Sequence, residues 1–125
     1  MEQPNADLVI ILITGPESKK RLPSAFFLAA TAAAMEQTVV MYFTGPATEL
    51  LKTGVADNLY PLDGGQSLAG FIKNAVDNGV QIMGCRQSLD LNGMSESDLA
   101  YPNLPLLTPS QALPSLASAG KVVTW

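Results

Sequence analysis

Two short apolar runs limit the fold more than any other feature. Leu8-Val9-Ile10-Ile11-Leu12-Ile13 and Thr38-Val39-Val40-Met41-Tyr42-Phe43 are continuous rather than alternating, and the first is rich in β-branched residues. Strands of this kind are buried on both faces, as in parallel sheets covered by helices. Both runs end in one tripeptide, Thr14-Gly15-Pro16 and Thr44-Gly45-Pro46, a turn signal. Each is followed by helix-compatible sequence. Leu22 to Gln37 is rich in Ala, Leu and Phe, with Pro23 in the first turn. Ala47 to Thr53 predicts a short helix closed by Gly54. The repeated tripeptide reads as two chemically similar strand-to-helix turns, since nothing else recurs.

The rhythm continues along the chain. Val55 to Gly65 reads as loop. Ser67 to Asn78 carries Leu68, Phe71, Ile72, Ala75 and Val76 on one helical stripe, and Asn78-Gly79 stops it. Val80 to Gly84 predicts a third strand with Cys85 at its C-terminal end. Arg86 to Asn92 predicts a short helix, and Ser95-x-x-Asp98 resembles a capping box. Leu104 to Leu107 is a weak fourth strand because of Pro105. Thr108-Pro109-Ser110-Gln111 opens another helix, which Pro114 is expected to kink or shorten. Lys121 to Trp125 closes as a fifth strand. About five strands alternating with helices, joined by right-handed crossovers, imply an α/β fold. Its sheet is mostly parallel, with helices on both faces. At 125 residues the expectation is a single domain spanning 1–125.

Composition removes whole classes of chemistry. With no histidine, the chain can build neither a Ser-His-Asp triad, a Cys-His dyad nor a histidine-ligated zinc site. One cysteine excludes an intrachain disulfide, a CxxC redox pair and a four-cysteine metal site. No metal and no cofactor is called for. A net charge of −4 and the lack of a basic run interleaved with aromatics argue against nucleic-acid binding. The longest uncharged apolar stretch, Ala25 to Met35, falls short of the ~20 residues that span a bilayer. The polar, acidic lead Met1 to Asp7 does not read as a signal peptide. The expected compartment is the cytoplasm, where a free thiol stays reduced.

In an open α/β sheet, ligands bind outside the carboxyl ends of the strands. Three loops reach that edge: Gly15 to Arg21, Thr44-Gly45-Pro46, and Gly84 to Ser88. Four of the seven basic residues, Lys19, Lys20, Arg21 and Arg86, lie in them. They form either a local anion site or a solvated surface. Phosphate-loop patterns GxGxxG and GxxxxGK[ST] are absent, and Asp63, Asp90 and Asp98 are scattered. Cys85 is the sharper candidate. A free cysteine is commonly a small buried apolar residue. Between a strand end and a helix start, however, it faces free N–H groups and the positive end of the helix dipole, with Arg86 beside it. Both favour the nucleophilic thiolate, and Ser88 can donate to it from the same turn. Burial under a loop would undo that reading.

The segment Gly79-Val80-Gln81-Ile82-Met83-Gly84-Cys85-Arg86-Gln87-Ser88-Leu89-Asp90-Leu91-Asn92-Gly93-Met94 resembles the signature of DsrE/DsrF-like proteins. There a strand-end cysteine is followed by x-x-S-[ML]-D-x-x-G and a hydrophobic residue. The opening strand–loop–helix–strand and the closing helix–strand are compatible with that family. The resemblance implies a flavodoxin-like three-layer domain that assembles into trimers or hexamers. It implies a cytoplasmic role in sulfur trafficking, with Cys85 accepting sulfur as a persulfide or thiosulfonate and passing it on. Its partners are then sulfur donor and acceptor proteins or small sulfur anions; from the loop reading above, Arg86, Ser88, Gly15, Lys19 and Lys20 are the candidates to bind such an anion. The segment after the cysteine departs from the sulfur-relay branch of the family, so tRNA modification is not supported. Two other readings stay open: a non-catalytic interaction subunit with an inert Cys85, and a small-ligand or nucleotide-binding domain using the loops after the first two strands.

Overall fold

The computed structural model describes residues 5–125; the first four residues of the polar lead, read above as no signal peptide, lie outside them. Five strands form one sheet: β1 (Leu8–Leu12), β2 (Val39–Phe43), β3 (Gln81–Cys85), β4 (Leu106–Leu107) and β5 (Lys121–Thr124). Every pairing is parallel, in the order β4-β3-β2-β1-β5. The helices are α1 (Leu22–Ala34), α2 (Leu68–Asp77), α3 (Gln87–Leu91) and α4 (Pro109–Ser118).

Strand order decides which face each long helix takes. The steps from β1 to β2 and from β2 to β3 run in one direction across the sheet, so right-handed crossovers put α1 and α2 on the same face. The step from β4 to β5 runs back past β1 and puts α4 on the other. Side chains alternate accordingly. Leu8, Ile10, Leu12, Val39, Met41 and Phe43 pack with α1 and α2, while Val9, Val40, Tyr42, Met83 and Cys85 pack toward Ala112 and Leu116 of α4. The first cluster is the main core. Phe26, Phe43, Ile10, Leu12 and Ile72 are fully buried there, each contributing on the order of 1.5–3 kcal/mol.

Three expectations change in detail. Ala47 to Thr53 is not an α-helix but part of a tighter 3-10 helix, Gly45–Leu51. It is pinned near both ends, because Ala47 N–H donates to the Ile13 carbonyl and Thr53 N–H to the Asp98 carbonyl. A second 3-10 helix, Pro16–Arg21, fills the loop after β1, and a third, Ala56–Asn58, lies in the 55–65 loop. Pro114 does not shorten α4, which runs on to Ser118. The proline is exposed, while Ala112 and Leu116 anchor the helix on the sheet and the predicted Thr108/Gln111 capping box holds its start. The Ser95/Asp98 box also forms. Among the described residues, no helix is long and apolar enough to cross a membrane.

Candidate functional site

β3 ends at Cys85, and its neighbours bring polar groups to that point. Tyr42 on β2 pairs in register with Met83, so its side chain lies diagonal to Cys85 on the same face of the sheet. Thr44 follows β2 directly, and Ser88 sits in the first turn of α3. The Ser88 hydroxyl is buried and accepts a hydrogen bond from Gly45 N–H at 2.9 Å. It also lies 3.4 Å from Thr44 Oγ1. Asn92 ties the two loops together: its amide donates to the Ser88 carbonyl at 2.7 Å and the Gly45 carbonyl at 2.9 Å. The turn after β2 and the helix after β3 are thus one hydrogen-bonded unit around the sulfur.

Cys85 is buried, 7% exposed as a residue, which by itself favours the inert reading of the cysteine. Burial pushes its pKa up, but the Ser88, Tyr42 and Thr44 hydroxyls and the Ser88 backbone N–H pull the other way, leaving it lowered to about 7. That favours the thiolate near neutral pH, and the thiolate is the nucleophile. The same proximity acts in reverse on Tyr42, whose phenol is raised first by burial and then by the neighbouring Cys85.

The residues singled out in the sequence do not all converge. Cys85 and Ser88 are together. Arg86 is not with them: its guanidinium faces solvent and pairs with Glu96 at 3.3 Å. No charged side chain contributes to the lowered thiol. Gly15 reaches the neighbourhood only through its backbone, which lies so close to Pro46 that a Cβ would fall 2.6 Å from the Pro46 carbonyl oxygen. Its N–H already donates to Glu17 Oε1 at 3.2 Å, a carboxylate where an incoming anion would have to sit. Lys19 and Lys20 line a shallow surface hollow with Glu17, Ser18 and Arg21, in which Cys85 takes no part. Hydroxyls and backbone, rather than the basic residues, condition this thiol.

A groove of about 690 Å³ lies elsewhere, between the end of α2 and residues 101–105. Val80, Ile82, Tyr101 and Leu104 line it, and its two charged residues, Lys73 and Asp77, pair with each other at 2.7 Å. No cysteine, serine or threonine lines it. Among the described residues, no group of three or more His, Cys, Asp or Glu side chains is placed to hold a metal ion.

The profile of the DsrE/DsrF-like family matches residues 7–125. The chain belongs to that family. Solved structures share its fold: the YchN protein of E. coli superposes with a TM-score of 0.77 at 19% identity, covering 96% of this chain and 99% of that one. A conserved protein of unknown function from Bacteroides thetaiotaomicron gives 0.67 at 12%, covering 95% of each chain. A protein of unknown function from Methanobacterium thermoautotrophicum gives 0.62 at 13%, covering 94% of this chain and 96% of that one. No curated protein matches the sequence. The all-parallel five-stranded sheet is therefore the DsrE/DsrF-like fold, with Cys85 at the end of its third strand.

Sequence reasoning missed Tyr42 and Asn92 as members of the site. A signal for Tyr42 was present: it carries a polar tip in a strand otherwise apolar after Thr38, and a buried tyrosine hydroxyl needs a partner. Asn92 offered none, since its role depends on two carbonyls 4 and 47 residues away in the chain.

Proposed function

We propose that this protein is a cytoplasmic sulfur carrier, with Cys85 as its nucleophile. The observation that carries the reading is the lowered thiol of Cys85, ringed by the hydroxyls of Ser88, Tyr42 and Thr44 at a strand's carboxyl end. The Cys85 thiolate attacks the sulfane sulfur of a donor, whose S–S bond breaks. With thiosulfate, a persulfide forms on Cys85 and sulfite leaves with the bonding electron pair. With tetrathionate the product is a thiosulfonate and thiosulfate leaves. A partner thiolate then attacks the outer sulfur of the persulfide, regenerating Cys85. The chain works as one domain in a trimer or hexamer, with donor and acceptor proteins or small sulfur anions as partners.

Mass spectrometry tests this. Incubation with thiosulfate, tetrathionate or polysulfide is expected to add roughly 32 Da (about one sulfur atom) or more to Cys85, reversed by a thiol reductant. The Cys85→Ser variant takes up nothing. No adduct with any of the three donors overturns the proposal.

A second reading rests on the 7% exposure of Cys85. If the protein is a non-catalytic interaction subunit, Cys85 is a core residue that alkylates only on global unfolding, and Cys85→Ala leaves function intact. Alkylation of the folded protein, with a rate that rises through pH 7, separates the two.

A further inference from the structure

The Tyr42 hydroxyl occupies an unusual place. Its side chain leaves β2, and its hydroxyl donates to the Leu107 carbonyl of β4 at 3.4 Å. β3 lies between those strands, and Leu107 is the register partner of Cys85. The phenol therefore bridges over β3 in the row where the sulfur sits. The bond it makes there is long, since O–H···O bonds center near 2.7–2.8 Å. It is also dispensable, because the Leu107 carbonyl already accepts Arg86 N–H at 3.0 Å. Its departure would orphan no buried group. Thr44 repeats the pattern, with a hydroxyl that makes only a 3.4 Å contact to Ser88. Ser88 differs, because the Gly45 N–H at 2.9 Å occupies one lone pair of its oxygen and leaves its own hydrogen free to donate.

We propose that Tyr42 is a positioning residue whose hydroxyl turns from the Leu107 carbonyl to the Cys85 sulfur when that sulfur becomes anionic. It rests, for its functional meaning, on Cys85 being the sulfur-carrying residue. The resting bond holds the donor close without satisfying it strongly. An anionic sulfur is the better acceptor, since hydrogen bonds to a charged partner are roughly twice as strong as neutral ones. Ser88 then anchors the sulfur from the α3 side and Tyr42 from the β2 side. Tyr42 is the titratable group that acts on the sulfur; Arg86, next in the chain, is engaged with Glu96. A small cavity of about 20 Å³ between Tyr42, Met83, Leu107 and α4 gives the ring slack to adjust. Its apolar lining makes it a poor water site that would compete for the hydroxyl.

The test reads the swing directly. In protein labelled with ¹³C at the Leu107 carbonyl, the resonance is expected to move upfield between pH 6 and 9 as the second hydrogen bond leaves. Its midpoint should coincide with that of Cys85 thiolate absorbance at 240 nm, near 7. Tyr42→Phe keeps the ring and removes the hydroxyl. In that variant the carbonyl no longer follows the thiolate, and the thiol midpoint rises by about one unit, a tenfold loss of thiolate well below the midpoint. Sulfur loading at pH 6.5 slows by roughly the same factor and recovers at pH 9.5, a pH profile that loss of packing alone does not produce. A Leu107 carbonyl that ignores thiolate formation in the unsubstituted protein overturns the proposal, as does an unmoved midpoint in a folded Tyr42→Phe. If the carbonyl follows the thiolate but no sulfur adduct forms, Tyr42 keeps its role and the carrier reading falls. If adducts form and the carbonyl stays still, the reverse holds.

Discussion

The turn after β1 and the turn after β2 share the tripeptide Thr-Gly-Pro, and both lead into 3-10 helices. Their glycines nonetheless differ in backbone and in partner. Gly15 has φ −105° and donates its N–H to its own loop, to Glu17. Gly45 has φ +57° and donates to Ser88, across the sheet edge. The first turn closes on itself and carries the lysines outward. The second opens toward β3 and becomes one wall of the Cys85 site. Identical residues at equivalent strand ends take different roles because of what stands opposite. Pro46 crowds the side of Gly15 where a Cβ would stand, whereas a Cβ on Gly45 would meet nothing nearer than Ile13 Cγ2 at 3.7 Å.

Alanine at each glycine should break the comparison unequally. Gly15→Ala drives a Cβ to 2.6 Å from the Pro46 oxygen and 2.8 Å from its carbonyl carbon, both backbone atoms. Backbone must move, so a loss of about 3 kcal/mol in denaturant stability is expected. Gly45→Ala has room but holds a left-handed residue, so about 1–2 kcal/mol is expected. Equal losses would mean that the two turns are interchangeable after all. Ser88→Ala takes away the acceptor of the Gly45 N–H and should cost about 1–2 kcal/mol. It should also carry the thiol midpoint from about 7 toward the ordinary value near 8.5, read by thiolate absorbance.

The architecture was far more legible in the sequence than the site. The β1 and β2 runs, the α2 stripe and the Thr108 capping box act through neighbours in the chain, and such patterns survive in one dimension. Cys85 was legible for the same reason, as a strand end before a helix. What tunes it was legible only in Ser88 and the backbone N–H groups of its turn. Ser88 is three residues away, but Tyr42 and Thr44 arrive only through the β2–β3 pairing, and Asn92 through a fold-back onto Gly45. Arg86 misled because adjacency in sequence is not adjacency in space. A residue following a strand end points where the turn sends it, and here that is toward Glu96.

The lowered thiol also sets a pH dependence that sharpens the contrast between turns. A cysteine whose folded value lies below its unfolded value stabilises the fold fully above the unfolded value, near 8.5, and loses that contribution as pH falls through about 7. The unsubstituted protein should therefore gain melting temperature over Cys85→Ala between pH 7 and 9. The turn after β1 should add nothing to that difference. A Glu17→Gln variant should show the same gain, and a gain that vanishes with Glu17 would tie the first turn to the thiol.

The smallest effect expected is at Arg86. A guanidinium one residue from a cysteine is the natural explanation for an acidic thiol, and the sequence alone supports it. The geometry does not. Arg86 and Glu96 have side chains 46% and 65% exposed, with a single contact at 3.3 Å, so the pair is solvated and worth a few tenths of a kcal/mol at most. Arg86→Gln should leave both stability and the thiolate midpoint where they are. Raising ionic strength should not move that midpoint either, because salt screens an exposed charge but leaves hydroxyls and backbone N–H groups in place. A midpoint that climbs in Arg86→Gln, or climbs with salt, would return the activation of Cys85 from the hydroxyls to the charge.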